Sequence, residues 1–369
     1  MSPIKPNPGL LDIEPYKGGK ALTDSGRAAI KLSSNESALG PSPQAVAAFR
    51  DVAASLKRYP DGAVTALRTA IADHYGLNAD HIICGNGSDE IIHLLCQAYL
   101  GPGDEMLYSE HGFSMYAIAA RAAGATPVAA PEKNRVTDVD ALLAQVTPAT
   151  RIVFIANPNN PTGTYLPQNE LQRLRAGLRD DILLVLDAAY AEFVRRNDYA
   201  AGIELVAGHD NVVMTRTFSK IYALAGLRLG WAYCPKAIVD VLNRVRGPFN
   251  INIAAQAAGI AALQDRAFTE AAVDHNEKWL AWLEAELRQL GLRTEPSVGN
   301  FLLISFPETA GKSAQAADAF LQQQGLILRR MESYGFANAL RLTVGTETEN
   351  KAVIAALRLF MQDGNDAAK

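Results

Sequence analysis

Between about residue 45 and residue 265 the chain alternates short apolar runs with stretches whose apolar residues recur three or four positions apart. The runs predict strands over 81–84, 105–108, 126–129, 151–156, 182–186, 212–215 and 230–233. Several are apolar throughout, as in Ile182-Leu183-Leu184-Val185-Leu186. That is the pattern of parallel strands covered on both faces. Helical patterns separate most of them, so the expected fold is α/β, with a large doubly wound, mostly parallel sheet.

From Glu270 to Leu290 the pattern predicts one long helix, ended by Gly291. After it come strand 301–306, helix 314–323, strands 325–328 and 340–344, and helix 349–361. These predict a smaller α+β C-terminal domain. Residues 1–34 are rich in Pro, Gly and Lys and predict an irregular arm. The expected division is 1–40 for the arm and part of the small domain, 41–265 for the large domain, and 266–369 for the small one.

Composition narrows the function classes. The chain has 369 residues, 35 of them basic and 39 acidic, for a net charge of −4. That balance gives no electrostatic case for nucleic acid or an anionic membrane. Cys84, Cys96 and Cys234 are too sparse and too far apart for a disulfide framework or a zinc site, and predict buried, reduced thiols. The six histidines show no metal-ligand spacing, so no metal is expected. No apolar run reaches the length of a membrane span. The first residues lack the pattern of a signal peptide, and a cytoplasmic location is the expectation.

The chemistry is concentrated at the ends of the predicted strands. Asp187 closes the run 182–186, and Thr217-Phe218-Ser219-Lys220 and Gly226-Leu227-Arg228 follow the run 212–215. A pyridoxal 5′-phosphate enzyme needs those groups in one pocket. A lysine forms a Schiff base with the aldehyde, and a carboxylate keeps the pyridine nitrogen protonated so that the ring accepts electrons. Hydroxyls and an arginine bind the phosphate. An amine partly stripped of water near cations has a lowered pKa.

Each segment also has a plainer reading. Gly85-Asn86-Gly87-Ser88-Asp89-Glu90 links a strand to a helix. It is either a capped helix start or a phosphate site made of free N–H groups. Its spacing is not that of a dinucleotide-binding turn. Asn157-Pro158-Asn159-Asn160-Pro161-Thr162-Gly163 is turn-rich, yet sits at a strand's C-terminal end, where open α/β sheets place ligands. Arg341 alternates with Thr343 on a strand, and Arg329 lies on the other side of a turn-like segment. The pair reads as surface residues or as an anion clamp. Tyr16, Asn35 and Tyr59 are weak signals individually.

Together these segments resemble the fold-type-I pyridoxal-phosphate-dependent aminotransferases, from about residue 13 to residue 361. Within that class-II-like group the chain is similar to the histidinol-phosphate aminotransferases. That similarity rests on 31–36, 58–62, 85–90, Thr217-Phe218-Ser219-Lys220, Leu224-Ala225-Gly226-Leu227-Arg228 and 340–346. The resemblance implies that Lys220 is the Schiff-base lysine and Asp187 the partner of the pyridine nitrogen. Tyr190 and Asn160 would contact the phenolic oxygen. Gly87, Ser88, Asp89, Thr217, Ser219 and Arg228 would surround the phosphate. Phe113 would stack on the ring, where many relatives have Tyr.

The resemblance also implies a homodimer with composite sites, in which Tyr59 reaches the phosphate bound by the other subunit. Arg341 would hold the substrate's anionic end, helped by Arg329, Tyr16 and Asn35. The implied reaction takes L-histidinol phosphate and 2-oxoglutarate to imidazole-acetol phosphate and L-glutamate. The alternatives on the same scaffold are an aromatic or arogenate/prephenate aminotransferase, a dual-specificity enzyme, and an amino-phosphate decarboxylase. A regulatory protein would need a DNA-binding segment, and the first 35 or so residues show neither a helix-turn-helix pattern nor a basic stripe.

Overall fold

A computed structural model describes residues 4–6, 9–16, 18–22, 29–309 and 311–362. Seven strands form the main sheet: β1 (Ile82–Gly85), β2 (Glu105–Ser109), β3 (Thr126–Ala130), β4 (Thr150–Ala156), β5 (Leu183–Asp187), β6 (Val212–Thr217) and β7 (Gly230–Tyr233). Their order across the sheet is β1-β7-β6-β5-β4-β2-β3. β7 runs antiparallel to both neighbours, and the other ladders are parallel.

The uninterrupted apolar runs have their explanation in the two faces of this sheet. Val153, Ile155, Leu184 and Leu186 enter one buried core, while Ile152, Phe154, Leu183 and Val185 enter another. Successive side chains alternate faces, so a strand covered on both sides is apolar on both faces along its middle. Cys84, Cys96 and Cys234 are free and buried in these two layers.

Register brings the strand ends level. Ala156 pairs with Asp187, Asp187 with Thr215, and Gly230 with both Thr217 and Gly85. The loops after β1, β4, β5 and β6 therefore leave from one edge. The antiparallel β7 begins there, two residues after Arg228.

A second, four-stranded sheet is antiparallel: β8 (Arg293–Thr294), β9 (Phe301–Ser305), β10 (Arg329–Met331) and β11 (Phe336–Thr343), in the order β8-β9-β11-β10. Its apolar face joins the helices Arg266–Gln289, Ala314–Gln323 and Glu347–Gln362 in a separate core. The long helix starts four residues before the predicted position, at a cap made by Asp265, whose side chain accepts from the Phe268 N–H at 3.3 Å.

Two expectations need correction. The predicted strand 325–328 is shorter, Leu326–Ile327, and pairs outside the four-stranded sheet, while the strand that joins that sheet, Arg329–Met331, lies just beyond the predicted bounds. The segment before residue 34 is not wholly irregular, because Ile30–Lys31 pairs in parallel with Leu326–Ile327. Two residues make too short a run to signal a strand, and their partner lies almost 300 positions away. Among the described residues no helix is long and apolar enough to cross a membrane.

Candidate active site

The level strand ends, the segment 33–36 and the β10–β11 hairpin enclose one cavity. Tyr16, Asn35, Gly87, Ser88, Asp89, Phe113, Asn160, Asp187, Tyr190, Thr217, Ser219, Lys220, Arg228, Arg329 and Arg341 all line it. Tyr59 does not: it is 82% exposed and stacks on Phe249 with centroids 4.7 Å apart.

At one end, the helix Gly87–Tyr99 points its N-terminus into the cavity. Asn86 caps it by position but not by side chain. Instead Glu90 accepts from the Asn86 N–H at 2.6 Å. First-turn N–H groups have no acceptor within their own helix, so they make an anion site. Arg228 adds charge here. It donates to Asp89 Oδ2 at 2.9 Å and to Ser219 Oγ at 3.4 Å. The pairing offsets the Asp89 carboxylate that would otherwise repel a phosphate. Close approach is built in, since a side chain on Gly230 would meet the Ser88 nitrogen at 2.3 Å.

Asp187 sits at the floor, buried. Its Oδ2 accepts from the Tyr116 hydroxyl at 2.7 Å and its Oδ1 from the Thr215 hydroxyl at 3.2 Å. Burial pushes its carboxyl up to about 6, with these two hydroxyls pulling the other way. No cation among the described residues pairs with it. It is thus a buried carboxylate suited to a ligand that brings its own N–H⁺.

Lys220 projects from the loop after β6, and its Nζ donates to the Ser34 carbonyl at 3.0 Å. Loss of water around the amine pushes its pKa down to about 8. Arg341 is the next cause, and Arg228, the cation expected from sequence, contributes less. Tyr190 receives a hydrogen bond from Asn35 Nδ2 at 2.8 Å, and burial holds its hydroxyl up at about 12.

Opposite lies the arginine pair. Arg329 and Arg341 are directly opposed across the β10–β11 ladder. Arg341 is buried rather than surface-facing. It donates from Nη1 to Asn160 Oδ1 at 2.5 Å and from Nη2 to the Ser33 carbonyl at 2.9 Å. Its Nε is buried without a partner, so the guanidinium carries donor capacity that no protein group satisfies. Because Asn160 accepts through its oxygen, its amide nitrogen is left to donate. The Arg329 guanidinium lies 5.9 Å from the Tyr16 ring centre.

Four contributors escaped the sequence reading. Thr215 shares the face of Thr217, two positions on, which was a usable signal. Tyr116 stands three residues after Phe113, at the start of the helix Met115–Ala122, and its ring meets Phe113 edge-on at 5.8 Å. The Ser33 and Ser34 carbonyls carry no sequence signal, being backbone.

The donor set fits pyridoxal phosphate: an anion cradle, a buried carboxylate lacking a cation, and a lysine in the same cavity. Comparison with known proteins agrees. The model of the family "Aminotransferase class I and II" matches residues 27–357. The histidinol-phosphate aminotransferase of Paramagnetospirillum magneticum is 59% identical over 98% of this chain and 99% of its own. That of Rhodospirillum centenum is 57% identical over 97% and 98%. The crystal structure of histidinol-phosphate aminotransferase from Sinorhizobium meliloti in complex with pyridoxal-5′-phosphate superposes with a TM-score of 0.89. It is 27% identical and covers 98% of this chain and 99% of that one.

Proposed function

We propose that this chain, which belongs to the aminotransferase class I and II family, transfers the amino group of L-histidinol phosphate to 2-oxoglutarate, using pyridoxal phosphate. The observation that carries the reading is the position of Lys220. It lies in one cavity with a cation-free buried carboxylate and a buried arginine that keeps a donor in reserve.

Bound pyridoxal phosphate supplies an aldehyde to receive the amino group and a ring to take up the electron pair released at the substrate's Cα. Everything else falls to the chain. Lys220, with its pKa near 8, exists in part as the free amine around neutral pH. With the cofactor bound, its Nζ would hold the aldehyde carbon, and when free it would be the base that moves a proton from the substrate's Cα. Asp187 keeps a proton on the ring nitrogen, with Tyr116 and Thr215 holding its carboxylate oriented. Tyr190 and the Asn160 amide hold the phenolic oxygen. Phe113 covers one face of the ring.

The helix start at 87–89, Thr217, Ser219 and Arg228 bind the phosphate. Arg341 and Arg329, with Tyr16 and Asn35, take the anionic end of either substrate. The enzyme works as a homodimer, each subunit's Tyr59 completing its partner's phosphate site. Tyr59 and Phe249 form an exposed aromatic stack, with Leu56 also exposed nearby in the chain.

The test is a single-turnover absorbance experiment on cofactor-loaded protein, with no keto acid present. Fast conversion by L-histidinol phosphate and slow conversion by L-phenylalanine is the expected result. The reverse order would move the assignment to an aromatic aminotransferase.

A further inference from the structure

Beneath the cavity, on the far face of β6, lies a buried ion pair outside the site itself. Thr215 and Thr217 face the cavity side, so Arg216 between them faces the other way. Its Nη1 donates to Glu192 Oε1 at 3.0 Å, and both side chains are 8% exposed. The Tyr75 hydroxyl donates to the same oxygen at 3.1 Å and lies 2.9 Å from the Tyr222 hydroxyl. The guanidinium sits 4.8 Å from the centre of the Tyr75 ring and 6.0 Å from that of Trp231. Glu192 Oε2 and Arg216 Nε are buried without a hydrogen-bond partner.

Stability does not account for such a cluster. Replacing a buried ion pair by apolar side chains of similar volume is often neutral or stabilising. Two orphaned polar atoms add to its cost. Its connections are more informative. Glu192 follows Tyr190 by two residues, and Tyr222 follows Lys220 by two. Arg216 lies between Thr215, bonded to Asp187, and Thr217, at the phosphate end. Trp231 follows Gly230, which seats the helix start at Ser88. Arg216, Glu192 and Tyr222 thus each stand within two residues of a cavity residue, Tyr75 joins them from the helix Thr65–Tyr75, and no member of the cluster lines the cavity.

We propose that Arg216 and Glu192, together with Tyr75 and Tyr222, are positioning residues that hold the Lys220, Tyr190 and Asp187 segments in mutual register. The inference rests on the transamination reading above. Because reacting groups must sit within a fraction of an ångström of their working geometry, a slackened cluster costs rate before it costs binding.

The experiment is the double variant Glu192→Leu/Arg216→Met, compared with each single variant. The singles should melt early, each leaving one charge buried and unpaired. The double should recover the wild-type melting temperature, yet lose on the order of 10- to 100-fold in kcat with little change in KM. The pH midpoint of the bound cofactor's absorbance, which reads the state of Lys220 without turnover, should move as well. A double variant with wild-type kcat and an unmoved midpoint overturns the proposal. If the double does not fold, Tyr222→Phe decides on the same two readouts, removing one hydroxyl and keeping the ring. Should the wild type bind cofactor and yet fail to turn over histidinol phosphate, the substrate reading falls. The absorbance midpoint would still test the cluster.

Discussion

The Tyr116 hydroxyl donates to Oδ2 of Asp187 at 2.7 Å, from the helix that begins just beyond Phe113. The helix and the residue just before its cap therefore supply the hydrogen bond that orients the carboxylate and the aromatic face over the proposed ring. Removing that hydroxyl in Tyr116→Phe deprives Asp187 of a donor that favours its charged form. The carboxyl should then keep its proton to higher pH. Cofactor affinity at pH 6.5 should fall by about 10-fold, the worth of one hydrogen bond to a charged group. Titration of the cofactor-free protein against pH checks this, and curves that superimpose on the wild type would sink it.

Asp187 makes the cofactor-free protein less stable than it need be. Its folded pKa, about 6, lies above the ordinary value of 3.8. Its favourable contribution is therefore fully present below 3.8 and is lost as the pH rises through 6. Asp187→Asn should be inactive, yet its cofactor-free form should be more stable than wild type at pH 7.5, by about 1–3 kcal/mol. The gap should close as the pH falls through 6. Melting curves at several pH values measure it.

For Lys220 the sign is opposite: its folded pKa, about 8, is lower than the usual 10.5. Capture of pyridoxal phosphate should accelerate as the pH rises through 8 and level off above it, because only the free amine attacks. Stopped-flow absorbance gives the profile. Lys220→Ala should lose roughly 10³-fold or more in turnover while still binding the cofactor non-covalently, since the phosphate cradle is untouched.

Arg341 should serve both substrates. Arg341→Ala removes a buried cation with an unused donor and strips Asn160 of its partner. KM for histidinol phosphate and for glutamate should each rise by about 10- to 100-fold. A rise for one alone would show that the clamp is not shared.

Gly230→Ala tests the cradle through the fold. The added methyl would sit 2.3 Å from the Ser88 nitrogen and 2.4 Å from the Gly87 carbonyl carbon, both backbone atoms that cannot swing aside. The helix start must back away, and cofactor affinity should drop by about 100-fold, the loss of two good phosphate hydrogen bonds. Equilibrium titration of the cofactor reads the loss. Unchanged affinity would mean that the helix start does not hold the phosphate.

Much of this was legible in the residues. The apolar runs marked the strands of the main sheet, because a strand covered on both faces is mostly apolar. Asp187, Lys220 and Arg228 were readable because they follow such runs. What was missed is of another kind. Tyr116 reads as one more aromatic on an apolar helix face until Asp187 is seen beneath it. Arg216, buried between two hydroxyl residues on its strand, gave no hint of Glu192.

The sequence by itself determined which segments become strands, and which residue types at their ends line the cavity. Those follow from local periodicity and from the order of groups along the chain. Only the tertiary structure decided that Arg341 is buried with a donor in reserve, that Arg329 stands opposite it, and that Ile30–Lys31 is tied to Leu326–Ile327. It also set the order of causes behind the lowered Lys220 pKa, burial first and Arg341 ahead of Arg228. Burial and electrostatic coupling depend on which distant segments meet, and no local pattern encodes that meeting.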